Sequence, residues 1–398
     1  MRGVERPIYW TSLLVRCFLG LAAWSLSEYT DLVLVEDAVL YERQGARIAQ
    51  EWMAEGSSET LALIKESGRE AWVIYWLLAA FSFLLGGARA LPVLIVLFNL
   101  VTAWVPVYTH RIALLLGVSP RGALLAARIV VFSPVFAFWA GALYKEGLVL
   151  LALNVIVYQG LVLQQEWRLR SMFTLIAALS ILLGLRFYLA VILVPPLAVG
   201  LLLGISLPRR SLTIAGLVVG LILVGFVSQV RDLLPQDSWD LLTQIQASRD
   251  DLASARSGYL WDVDVSNPMA ALAFLPVGAL YFLAVPLPWD LGSLRQNLVI
   301  PEMLFWLSQY PLIFLGMREG WRSNRRGSLL VIAMTLSMLI FYALFVGNVG
   351  TAYRLRAQIW LFWAIFAGWC RDRTSTARLG APSWRRVPHA APRAPDPA

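Results

Sequence analysis

Apolar runs long enough to cross a ~30 Å hydrocarbon layer recur from Ile8 to Cys370, separated by connections mostly too short to fold independently. Ten segments carry the pattern: roughly 8–29, 90–116, 121–143, 147–163, 171–187, 190–206, 212–230, 298–317, 328–346 and 356–370. Two further segments are ambiguous. Residues 71–86 are short, and residues 269–287 are interrupted by Pro276 and Pro286, so either suits the membrane interface as well as a crossing. The pattern predicts an all-α fold, a polytopic transmembrane helix bundle of about ten spans plus two interfacial or re-entrant segments, in one membrane domain over 1–370. The first run follows Arg2 and Arg6 and imitates a signal peptide, but its length, Arg16 and the lack of an A-x-A site favour a retained span.

Charge decides between ten crossings and twelve. The loop 31–70 carries nine acidic and four basic residues, and the loop 231–266 seven against three. With both ambiguous segments kept on the outer side, these acidic loops lie outside. Arg121, Arg168, Arg170, Arg209, Arg210, the cluster Arg318, Arg322, Arg325 and Arg326, and the arginine-rich tail then lie inside, as the positive-inside rule expects. The proline-rich segment 371–398 reads as a disordered, basic, cytoplasmic tail.

Composition agrees: 59% of residues are hydrophobic and 15% charged, against about 25% charged in soluble domains, and the mean hydropathy is +0.67. The net charge of +8 points to the inner leaflet and not to nucleic acid, since no basic stripe with interleaved aromatics is present. Cys17 and Cys370 lie in apolar runs without metal or disulfide spacing. Walker A, Rossmann, H-E-x-x-H and G-x-S-x-G patterns are missing from the sequence. No internal repeat stands out, which disfavours inverted-repeat transporters.

On the ten-span topology the unusual polar residues gather on the outer side. In VEDAVLYERQGARIAQEWMAEG, Tyr41, Gly45, Ile48, Ala49, Trp52 and Met53 recur at helical spacing and predict an amphipathic helix on the outer surface. Glu36 and Asp37 come just before it. Asp37 suits a general base toward a hydroxyl nucleophile, while a helix cap is the plainer reading of the residues alone. Lys145 and Glu146 sit between two spans, where the lysine suits a phosphate or an ion pair with its neighbour. Arg186 and Tyr188 end one span, while Tyr353, Arg354 and Arg356 stand at the entrance of the last. Arginine's planar fork fits phosphate, and headgroup anchoring is the plainer reading for any single one. Asp262 and Asp264 fit a divalent cation, acceptor hydroxyls, or an ordinary solvated loop.

The order of these clusters resembles the GT-C class of membrane glycosyltransferases, the superfamily of protein mannosyltransferases and aminoarabinose transferases. Asp37 to Tyr41 match a D-x-x-x-Y motif in the first outer loop, Ile48 to Glu51 an I-A-x-E-like segment, and FSPVFAFWAGALYKEG and the late R-x-R follow in order. The likeness covers about the first 190 residues and returns near 347–370. The large soluble C-terminal domain of better-known members has no counterpart within these 398 residues. The resemblance implies a transferase in a bacterial inner membrane, its active site facing outward. It would move a sugar from a polyprenyl-phosphate-linked donor to a glycan, lipid or protein hydroxyl. Asp37 would be the catalytic base, and Lys145, Arg186, Arg354 and Arg356 would hold the donor phosphate, supported by Glu146, Tyr188 and Tyr353. Glu36, Tyr41, Asp262 and Asp264 are acceptor or metal candidates, a divalent cation being a cofactor the sequence leaves open. A lipid-linked oligosaccharide polymerase or ligase, and a flippase for such glycans, are the alternatives.

Overall fold

The computed structural model describes residues 3–30, 35–54, 72–204, 241–255, 257–287 and 294–378. The expected span at 212–230 and most of the basic tail lie outside these residues. Among the described residues the chain is helical, with a single isolated bridge between Gly258 and Asn348. The helices are α1 (Glu5–Tyr29), α2 (Glu36–Ala54), α3 (Trp72–Leu84), α4 (Leu91–Thr102), α5 (Val105–Leu116), α6 (Pro120–Phe132), α7 (Pro134–Gly141) and α8 (Glu146–Gln165). They continue as α9 (Leu169–Leu185), α10 (Phe187–Gly204), α11 (Leu241–Ser254), α12 (Pro268–Ala284), α13 (Leu294–Ser323), α14 (Arg325–Phe345) and α15 (Val349–Arg378).

Local chemistry sets many boundaries. Proline stands in the first turn of α4, α5, α6, α7 and α12, where its missing N–H costs no helical hydrogen bond. Ser119 accepts from the Gly122 amide at 3.1 Å and Asn324 from the Gly327 amide at 3.0 Å, capping α6 and α14. Gly117, at φ +96°, closes α5 in the left-handed conformation that glycine adopts without strain.

Among the described residues six helical segments are long and apolar enough to cross a membrane: α1, α4 with α5, α8, α10, α13 and α14. The pair α6–α7, bent by 54° at Ser133–Pro134, makes a seventh when taken as one broken span. The chain is thus a multi-pass helical bundle. Side-chain contacts give it two ends. At the lower end, Glu5 pairs with Arg111 through bonds of 2.9 and 2.8 Å, the Ser119 hydroxyl donates to Asp372, and Gln164 donates to the Arg326 carbonyl at 3.4 Å. At the upper end, the starts of α2, α8 and α15 meet the junction of α9 and α10. Helices α1, α8, α9, α10, α14 and α15 therefore run between the same two ends.

Helix α12 stops part-way down. Its C-terminal turn meets Tyr342, and its last carbonyls accept from Tyr310 and Arg356, so it enters from the upper end without reaching the lower. The helix passes through Pro276 and ends before Pro286. The amphipathic helix α2 starts at Glu36 and buries Tyr41, Gly45, Ile48 and Ala49. That face lies on α3, with Tyr41 against Tyr75 at 5.6 Å and Trp52 against Trp76 at 5.8 Å. Helix α15 continues beyond Cys370 to Arg378 where a disordered tail is expected, and Asp372 is held there by Ser119.

Small residues bring helices into backbone contact. A Cβ placed on Gly20 would lie 2.2 Å from the Gly141 carbonyl oxygen, so α1 and α7 touch at a distance only glycine permits. Stacked Trp306 and Trp360, 4.6 Å apart and 11° from parallel, join α13 to α15 in the core.

Candidate functional site

The upper end holds a chain of alternating charges. Asp37, in the first turn of α2, pairs with Arg354 at 3.0 Å. Arg354 also reaches Glu146 at 3.3 Å, and Glu146 pairs with Arg186 at 2.7 Å. These residues come from four places in the sequence, and each is put there near a helix end: the start of α8, the non-helical link between α9 and α10, the first turn of α2 and the second turn of α15. The inner pair is dry, with the side chains of Glu146 and Arg186 only 2% and 4% exposed. The outer one is wet, with Asp37 and Arg354 at 38% and 28%. Arg354 lies 5.6 Å from the Trp139 ring and Arg186 lies 5.9 Å from that of Tyr188, which stacks on Phe341. Burial, with the charges of Glu146 and Asp37 beside it, pushes the Tyr41 hydroxyl well above the usual phenol range, so it stays protonated.

Beside this chain lies a cavity of about 460 Å³, within the ~300–1,000 Å³ typical of small-molecule sites. Lys145, Arg186 and Arg354 line it. Phe187, Val191, Ile192, Phe341 and Phe345 give it an apolar wall. Gln244, Ser248 and Asp251 of α11 line it as well, together with Leu241, Ile245 and Leu252 of the same helix. The site thus offers cations, a hydrocarbon surface and a polar face within one enclosure.

Three of the four residues expected at a phosphate come together here; Arg356 does not. It is fully buried and donates to the carbonyls of Ala352 at 3.1 Å, Leu283 at 3.3 Å and Val285, and lies 2.8 Å from the Met303 sulfur. Arg354 and Arg356 are two positions apart on a helix, which turns their side chains about 200° from one another. Arg356 therefore braces the end of α12 while Arg354 faces the cavity.

Asp37 is likewise not among the cavity-lining residues and meets the site through Arg354. Its carboxylate serves an ion pair to α15. Glu36 is exposed beside it. Asp262 and Asp264 are exposed in the loop after α11 and do not line the cavity. Asp264 accepts from the Ser266 amide at 2.8 Å, and hydrogen bonding from Ser266 holds its carboxyl below the usual range. Among the described residues no three His, Cys, Asp or Glu side chains converge as a metal-ion donor set. Neither Cys17 nor Cys370 forms a disulfide.

Tyr353 points away from the cavity into a second polar cluster. Its hydroxyl and that of Ser133 donate to Glu302, which also accepts the Val135 amide at 3.0 and 3.1 Å. A buried carboxylate thereby caps α7 at the bend and ties it to the residue preceding Arg354. Sequence reasoning missed Glu302, although a carboxylate inside an apolar run is itself a signal. It also missed Gln244, Ser248 and Asp251, because α11 is defined by its docking and not by a strong apolar stripe.

In comparisons with known proteins, no family model and no curated protein matches the chain.

Proposed function

We propose that the protein is a GT-C-like membrane glycosyltransferase that moves a sugar from a polyprenyl-phosphate-linked donor to a hydroxyl acceptor. The observation that carries this reading is the cavity lined both by Lys145, Arg186 and Arg354 and by apolar side chains, since a lipid phosphate is an anion joined to a hydrocarbon chain. The acceptor is a glycan, lipid or protein. The upper end faces outward and the arginine-rich connections face the cytoplasm of a bacterial inner membrane, in keeping with the positive-inside rule.

In the reaction, the donor phosphate takes the Arg354 fork that Asp37 holds at 3.0 Å, and so frees the Asp37 carboxylate. Asp37 removes the acceptor hydroxyl proton, the oxygen bonds to the anomeric carbon, and the bond from that carbon to the phosphate oxygen breaks. Its electron pair stays on the departing lipid phosphate, whose added charge the arginines and Lys145 stabilise. Single displacement with inversion needs only this one base.

The test is sugar transfer from a radiolabelled polyprenyl-phosphate hexose by membranes containing the wild type, Asp37→Asn or Arg354→Gln. Loss of transfer in both variants, at unchanged protein levels, supports the reading; wild-type rates in Asp37→Asn reject it. Translocation of the labelled lipid without any transfer would instead favour a flippase.

A further inference from the structure

The lining that α11 gives the cavity combines the apolar Leu241, Ile245 and Leu252 with three polar side chains that suit no part of a lipid phosphate. Gln244, Ser248 and Asp251 stand at i, i+4 and i+7 on α11 and share one helical face, supplying an amide, a hydroxyl and a carboxylate. A hydrocarbon chain has no use for these groups, and the Asp251 carboxylate repels a phosphate. A neutral polyol satisfies all three, since a carboxylate accepts from hydroxyls while an amide both donates and accepts.

The opposite side of α11 is fastened. Arg249 is buried and donates to the carbonyls of Val346 at 2.8 Å and Leu260 at 3.2 Å, with its guanidinium 4.7 Å from the Phe274 ring. Gln246 donates to the Val263 carbonyl at 3.1 Å and accepts from the Val265 amide at 2.6 Å. A helix held from behind presents its front face in a set geometry, the condition for reading hydroxyl positions by hydrogen bonds.

We propose that this face of α11 is the sugar-selecting wall of the site, with Gln244, Ser248 and Asp251 reading the hydroxyls of the glycosyl group while Lys145, Arg186 and Arg354 hold its phosphate. The proposal rests on the glycosyl-transfer reading above and adds which residues choose the sugar.

The experiment measures affinities of the full-length protein in nanodiscs for farnesyl phosphate and for the farnesyl-phosphoryl derivatives of glucose, mannose and galactose. The wild type should prefer one hexose over its epimers by tenfold or more. Asp251→Ala and Gln244→Ala should shrink that preference to under threefold, with farnesyl phosphate affinity within twofold of wild type. Survival of the preference in both variants, loss of farnesyl phosphate binding in Asp251→Ala, or equal binding of all three hexoses by the wild type overturns the proposal. If the wild type binds farnesyl phosphate but shows no preference among sugars, only the sugar-selecting role falls. If it binds none of the four lipids, the glycosyl-transfer reading falls with it.

Discussion

The guanidinium of Arg354 stands 3.0 Å from the Asp37 carboxylate across 317 positions of sequence, and it reaches Glu146 at 3.3 Å from the same side chain. One arginine thus joins α2, which begins with a carboxylate pair, to the dry ion pair at the start of α8. The two carboxylates it holds differ in solvation, and that difference sets what each contributes.

Asp37→Asn should leave stability nearly unchanged. The pair is partly solvated, and exposed ion pairs contribute only ~0.2–1 kcal/mol. Thermal unfolding in detergent should shift by little, even where the proposed sugar transfer is lost.

Glu146→Gln should be costly. It leaves Arg186, buried in the bundle, and Arg354 without their shared carboxylate, and removal of one partner from a buried pair costs about 3–5 kcal/mol. Unfolding temperature should fall clearly below that of Asp37→Asn. Equal behaviour of the two variants would show that the inner pair is not dry.

Arg354→Gln and Arg356→Gln should separate binding from folding. The first should weaken farnesyl phosphate binding at least tenfold while the protein stays folded. The second removes the arginine donors to the Leu283 and Val285 carbonyls at the end of α12 and should lower thermal stability and expression first.

Arg249→Leu should loosen α11 and its following loop. Hydrogen–deuterium exchange over residues 241–265 should rise relative to wild type, with α8 and α14 unaffected. Unchanged exchange would mean the Val346 and Leu260 carbonyl contacts do not hold the helix.

The two ends of the bundle can be told apart by single cysteines in a variant lacking Cys17 and Cys370. Positions 36 and 261, exposed at the upper end, should label from one side with a membrane-impermeant thiol reagent. Positions 166 and 322, exposed at the lower end, should label only from the other. Labelling of all four from one side would contradict the arrangement of α8 and α14.

The helical class and most apolar segments were legible because hydrophobic length is a one-dimensional property: a run such as 328–346 carries its own reason to be a membrane helix. The amphipathic face of α2 was legible for the same reason, its Tyr41, Gly45, Ile48 and Ala49 marking a period of one helix. Lys145, Arg186 and Arg354 were legible as charges beside spans, which are costly there and so draw notice.

Their company was not. Whether Arg354 or Arg356 faces the site depends on how α15 is rotated against α12 and α13, which packing of Trp306 on Trp360 and the bracing of Val285 decide. Glu302 is separated by 167 positions from the amide it caps, and α11 acquires its cavity face only because Arg249 fastens its back to the link between α14 and α15. The sequence by itself determined that this chain is a membrane helix bundle and which charges are out of place in it, because burial in hydrocarbon is priced residue by residue. Only the tertiary structure decided which of those charges meet, because pairing depends on helix rotation and on contacts between segments hundreds of residues apart.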